Sequence, residues 1–126
     1  MMNCETDVLV VDDDPLLNLG MVFMLRDMGY APVAAQDPKR VLPMVHTVPR
    51  LSLLITDYQM PGMTGVELAR EVTDARPGVH VLIVTGNQDV PDELAPGWQM
   101  LTKPFTPQEL ARALDAMWSA ESPPSP

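Results

Sequence analysis

The chain of 126 residues is long enough for one hydrophobic core and too short for two. Its 17 Asp and Glu outweigh 8 Lys and Arg, and the formal net charge of -9 repels nucleic-acid phosphates and anionic membrane surfaces, which argues against both as direct partners. The single cysteine, Cys4, closes no disulfide within the chain, "MMNCETD" lacks the basic start and apolar core of a signal peptide, and no apolar run approaches the roughly 18 residues of a membrane span. A soluble protein of a reducing cytoplasm is expected.

In chain order, short β-branched runs alternate with helical stretches, the pattern of an α/β fold with a largely parallel sheet. The first strand runs from Asp7 to Val11 and opens into "DDDP". Asp14 before Pro15 then marks a helix start, with a capping carboxylate ahead of a proline at the first helical position. This first helix is unusually apolar: nine of the thirteen residues from Leu16 to Met28 are hydrophobic, more than one buried face requires. The second strand covers Ala31 to Ala35, and Asp37 with Pro38 opens a second helix, in whose interior Pro43 removes a hydrogen bond. "LSLLIT" forms a third strand, Leu51 to Thr56, and Thr64 with Glu67 fits a capping box for the third helix. "VHVLIV" gives a fourth strand, Val79 to Val84; such continuous apolar runs suit strands covered on both faces. After it, "TGNQDVPDELAPGW" carries Pro91, Pro96, Gly86 and Gly97, so one turn around Asp92 to Ala95 is the most helix expected. A fifth strand, Gln99 to Thr102, leads to Thr106, Pro107 and Glu109, a second capping box. The last helix shows one core stripe of Leu110, Ala113, Leu114 and Met117 and is expected to end near Trp118. Residues 120–126 read as a disordered tail or the start of a linker.

In an open parallel sheet the ligand site lies beyond the carboxyl ends of the strands, near the point where strand order reverses. The first strand ends in Asp12 and Asp13, the third in Asp57, the fourth in Thr85 and the fifth in Lys103. Three acids brought together disfavour one another's ionisation unless a cation compensates, and an all-oxygen set suits a hard metal such as Mg²⁺. A carboxylate beside a divalent ion can attack a phosphoryl donor, while Lys and Thr serve the transferred oxygens. Asp14, beside Pro15, reads instead as the cap of the first helix. Taken singly, each of these residues has an ordinary reading as a cap, a surface charge or a strand former; it is their joint occurrence at four strand ends that points to chemistry. His46 and His80 have no Cys or His at ligand spacing and read as surface or packing residues; Trp98 reads as a cover for the loop end.

"VLVVDDDP", "LLITDYQMPGMTGVEL", "VLIVTG" and "LTKPF", in that order, resemble the receiver domains of two-component response regulators over roughly residues 5–119. The resemblance implies a flavodoxin-like, doubly wound sheet of five parallel strands in the order 2-1-3-4-5. It implies that Asp57 is the phosphoacceptor, receiving a phosphoryl group from a sensor histidine kinase or a histidine phosphotransfer protein. Asp13, Asp57 and the backbone carbonyl of Gln59 would bind Mg²⁺ directly, and Asp12 largely through water. Thr85 would hydrogen-bond the phosphoryl group and Lys103 would pair with it, with a cis peptide bond between Lys103 and Pro104. Gln59 and Asn87 would tune the lifetime of the acyl phosphate. Such a chain is a signalling receiver rather than an enzyme acting on a separate substrate.

Three departures from the family pattern stand out. Met100 replaces the family's aromatic switch residue, the family's fourth helix is truncated or missing between Thr85 and Lys103, and "GWQMLTKPF" is more similar to receivers of hybrid histidine kinases, or stand-alone ones, than to those of transcription factors. Output through protein contacts without a DNA-binding domain is the expectation. For the apolar first helix two readings stay open: deep packing with a few exposed apolar side chains, or a docking surface for the phosphodonor that includes Leu19 and Val22. Two other functions are weighed. A metal-dependent phosphohydrolase of the haloacid dehalogenase type wants a second Asp two residues past the nucleophile, where this chain has Gln59. An inert pseudo-receiver would have lost one of the acids or Lys103, and all are present.

Overall fold

The computed structural model describes residues 7–86 and 94–121, with side chains through residue 118. Five strands, β1 (Asp7–Val11), β2 (Ala31–Ala35), β3 (Leu51–Asp57), β4 (His80–Thr85) and β5 (Gln99–Thr102), form one sheet in the order β2-β1-β3-β4-β5. Every neighbouring pair in it is parallel. All five expected strands hold to within one residue at each end; β3 runs one residue further, to Asp57, and β4 lies one residue later than expected, beginning at His80 and ending at Thr85.

Alternate side chains of the three central strands, β1, β3 and β4, feed two cores. Val8, Val10, Leu53, Ile55, Leu82 and Val84 pack with Met21 and Leu25 of α1 (Pro15–Asp27) and with Leu110, Leu114 and Met117 of the last helix. Leu9, Val11, Leu54, Val81 and Ile83 pack on the other face, beneath α2 (Val41–Val45) and α3 (Gly65–Ala75). Coverage on both faces is why these strands read as unbroken apolar runs.

The expected second helix is divided. Asp37 accepts from Lys39 N at 3.0 Å and starts a 3₁₀ turn, Pro38–Arg40, and only five residues of α2 follow. Pro43 cannot donate within it. Arg76, just past α3, takes up the last carbonyl of α2 and two of the segment that follows, donating to Val45 O at 3.0 Å, Val48 O at 3.3 Å and Pro49 O at 3.0 Å. Helix α4 spans Pro107–Glu121, which corrects the expected end near Trp118 and makes Ala120 and Glu121 helical rather than part of a tail. The expectations for Cys4, Asn87 and residues 122–126 lie outside the described residues, as do Asp92 and Glu93 of the turn expected around Asp92 to Ala95. Among the described residues no helix lies between β4 and β5. None is long and apolar enough to cross a membrane.

At the amino-terminal edge of the sheet, Trp118 Nε1 donates to the Tyr30 hydroxyl at 2.7 Å, and His80 meets the Trp118 ring edge-on with centroids 4.8 Å apart. His80 is thus a packing residue. Burial holds the Tyr30 hydroxyl above its ordinary pKa of 10.0, against the opposing effect of the Trp118 hydrogen bond and with a further push from Asp115. Trp118→Phe removes the donor while keeping an aromatic ring, and should cost about 1–2 kcal/mol in urea denaturation.

Candidate functional site

Strand register brings the site together. Val11 stands opposite both Ala35 and Thr56, Asp57 opposite Val84, and Thr85 opposite Thr102. One residue further along, Asp12 and Asp57 emerge side by side, and Lys103 leaves β5 beside Thr85. Backbone bonds stitch each exit to its neighbour: Asp12 N to Ala35 O at 3.2 Å, Tyr58 N to Val84 O at 2.8 Å, and Lys103 N to Thr85 O at 2.7 Å. The order of the strands reverses between β1 and β3, so the acids sit at the switch point of the sheet.

Asp12, Asp13 and Asp57 each offer a carboxylate oxygen, and these oxygens lie within 4.8 Å of one another. Asp12 is buried, Asp57 half-buried and Asp13 exposed. Lys103 Nζ lies 3.2 Å from Asp57 Oδ1 and 3.9 Å from Asp12 Oδ2. Burial pushes the Asp12 carboxyl above its ordinary value of 3.8; the Asp14 N–H opposes this, Asp57 reinforces it, Lys103 opposes it and Asp13 adds a last push upward. The sign follows: at neutral pH ionised Asp12 is disfavoured in the folded chain, and that cost is relieved as pH falls through the raised pKa. A divalent cation offsets it without acidification. Three carboxylate oxygens with no nitrogen or sulfur fit a hard cation such as Mg²⁺, so these residues are chemically suited to hold one.

The third aspartate has a different task. Asp14 Oδ1 accepts from Leu16 N at 3.0 Å and Leu17 N at 3.4 Å, while its own N–H donates to Asp12 Oδ1 at 2.9 Å. It is the cap of α1, as its place before Pro15 implies. Asp14→Ala should lower stability by about 1 kcal/mol in chemical denaturation and leave Mg²⁺ affinity within twofold.

Gln59 lies two residues past Asp57 in a hairpin of two-residue strands, Gln59–Met60 and Met63–Thr64, which strand periodicity did not reveal. Thr85 is buried at the end of β4, and Met100, at the aromatic switch position, is an exposed residue of β5. The Lys103-Pro104 bond is cis, as the resemblance implied. Gly65 was missed: a Cβ there would collide with the Asp57 carbonyl oxygen, so this glycine lets α3 begin directly against the backbone of the central acid. Thr64 and Glu67 close the capping box expected for that helix, with bonds of 2.9 and 3.1 Å.

Beside the acids, a mostly apolar cavity of about 280 Å³ opens between α1 and the Lys103 to Phe105 segment, with Leu16, Leu17, Gly20 and Phe105 in its walls. The outward face of α1 carries Leu16, Leu19 and Phe23, 71%, 51% and 56% exposed. Val22 is 7% exposed and faces the core, which corrects its expected place in a docking surface. The helix has two apolar faces, and Val22 belongs to the inner one, with Met21 and Leu25.

The family model of the response regulator receiver domain matches residues 8–115. The chain is 34% identical over 119 residues to the chemotaxis protein CheY of Pseudomonas aeruginosa, covering 88% of this chain and 94% of that protein. It is 32% identical over 127 residues to the transcriptional regulatory protein GlrR of Escherichia coli, covering 98% of this chain but 28% of GlrR. A receiver domain protein from Clostridium thermocellum superimposes with a TM-score of 0.81 at 26% identity, over 92% of this chain and 96% of that one.

Proposed function

This chain belongs to the response regulator receiver domains, and on that premise we propose that Asp57 accepts a phosphoryl group from a phosphohistidine, with Mg²⁺ held by Asp12, Asp13, Asp57 and the Gln59 carbonyl. Receivers of two-component systems pair with histidine kinases or histidine phosphotransfer proteins, and such a protein is the donor in this reading. The observation that carries it is the convergence of three carboxylates within 4.8 Å, with Lys103 3.2 Å from Asp57. A structural acidic patch would not need an ammonium ion aimed at its central member.

In the transfer, an Asp57 carboxylate oxygen forms a bond to phosphorus as the donor's P–N bond breaks, and the imidazole leaves with the donor. Bound Mg²⁺ supplies positive charge to the phosphoryl oxygens. Lys103, paired with Asp57 before the reaction, turns its ammonium to a phosphoryl oxygen afterwards, and the Thr85 hydroxyl donates to another. The residues act on the chain's own carboxylate and leave it modified, which is signalling by a stoichiometric switch. The net charge of -9 supports output through protein contacts rather than by this domain touching DNA.

Incubation with acetyl phosphate and Mg²⁺ should add one phosphoryl group by intact mass, and removal of Mg²⁺ with a chelator should prevent it. An adduct formed equally without Mg²⁺ would contradict the reading. The donor is proposed to dock on the outer face of α1, where Leu19 and Phe23 are exposed. Leu19→Lys with Phe23→Lys should slow transfer from a phosphohistidine donor about tenfold or more, since desolvated apolar anchors carry most interface energy. The rate with acetyl phosphate, which needs no docking surface, should stay unchanged.

A further inference from the structure

Helix α1 turns one polar side chain toward the sheet. Asn18 is 2% exposed and lies on the same helical stripe as Met21, Val22 and Leu25. Its Nδ2 donates to Ala35 O at 2.9 Å, to Asp12 O at 3.2 Å and, over a longer 3.4 Å, to Val10 O. A flipped amide would set Oδ1 against the same three carbonyls, so the orientation is fixed by repulsion as well as by bonding. Oδ1 itself is buried without a partner among the described residues. A leucine would fill similar space without that orphaned oxygen, so packing alone does not account for an amide here.

The bonds fall where the chain leaves the sheet. Asp12 N–H is held by Ala35 O, the same carbonyl that Asn18 grips, and Asp12 Oδ1 takes the Asp14 N–H. The Asp12 carbonyl lies past the end of β1, and Asn18 supplies its partner. Asn18 thereby links the ends of β1 and β2 to α1 directly behind the acid pair, touching none of the carboxylates itself.

We propose that Asn18 is a positioning residue of the acidic site: it fixes the main chain of Asp12, and through it Asp13, at the spacing that lets both acids share one cation with Asp57. The inference rests on the reading of that site as a Mg²⁺ site. Calorimetric titration with Mg²⁺ alone, well below each variant's melting temperature, separates positioning from mere stability. Asn18→Leu should raise the Mg²⁺ dissociation constant about tenfold, the scale on which groups behind metal ligands act. Asn18→Ser keeps a short donor and should raise it by about threefold; it carries the test if the leucine variant does not fold. Trp118→Phe, at the opposite edge of the sheet, should melt earlier yet bind Mg²⁺ as the parent does. If the parent binds no Mg²⁺, the metal-site reading fails and this inference with it. If the parent binds and the Asn18 variants that fold remain within twofold of it, the positioning role is overturned while the site stands.

Discussion

Asp57→Ala abolishes Mg²⁺-dependent phosphorylation by acetyl phosphate: under conditions that convert the parent chain, no variant molecule should gain a phosphoryl group by intact mass. The neighbouring acids are poor substitutes. Asp12 is buried, accepts the Asp14 N–H at 2.9 Å and stands 3.9 Å from Lys103, against 3.2 Å for Asp57. Asp13 is exposed, and Lys103 pairs with Asp57 and Asp12 rather than with it. Loss of Asp57 also removes a negative charge beside Asp12, so the variant should fold at least as stably as its parent, and a thermal melt checks that the lost adduct is not lost structure. Phosphorylation that survives the substitution would mean that another side chain is the nucleophile.

Asp13→Ala should uncouple the chain from Mg²⁺ with little change in fold. The residue is exposed and lies at the open side of the cluster, so its removal creates no cavity, yet it takes away one of three negative oxygens. Mg²⁺ affinity should fall at least ~100-fold, more than the usual loss for a group behind a metal ligand. In the parent, Mg²⁺ at ten times its dissociation constant adds about 1.4 kcal/mol by mass action, a rise in melting temperature of roughly 5 °C. The Asp13→Ala variant should show no such rise at the same concentration. An undiminished shift would place the cation elsewhere.

The site was legible because it sits at strand ends, and strands buried on both faces announce themselves as unbroken apolar runs that stop at a polar residue. "VLVV" before Asp12 and "LLIT" before Asp57 are of this kind, and the matching lengths of the runs put the acids level. What stayed hidden depended on contacts far apart in sequence. Helix α1 is apolar on two sides, so periodicity alone could not tell the face of Met21, Val22 and Leu25, which is buried, from that of Leu16, Leu19 and Phe23, which is not. Asn18 held the clue: it shares the inner stripe at i, i+3, i+4 and i+7, and a lone amide on a buried stripe needs partners. Arg76 gave no local signal at all, since its partners lie 27 and more residues back. The short hairpin after Asp57 was missed because two-residue strands have no period to read. Pro43 signalled a weakened second helix, and the structure shows a 3₁₀ turn joined to a five-residue helix.

The central claim is that one carboxylate, Asp57, becomes an acyl phosphate. Borohydride reduces an acyl phosphate to the alcohol and releases phosphate, so aspartyl phosphate becomes homoserine at the modified position. Peptide mapping of the chain treated with acetyl phosphate and Mg²⁺, then with borohydride, should find homoserine at position 57 and nowhere else. Homoserine at position 12 or 13, or its absence from position 57 in a chain that has gained a phosphoryl group, would contradict the account.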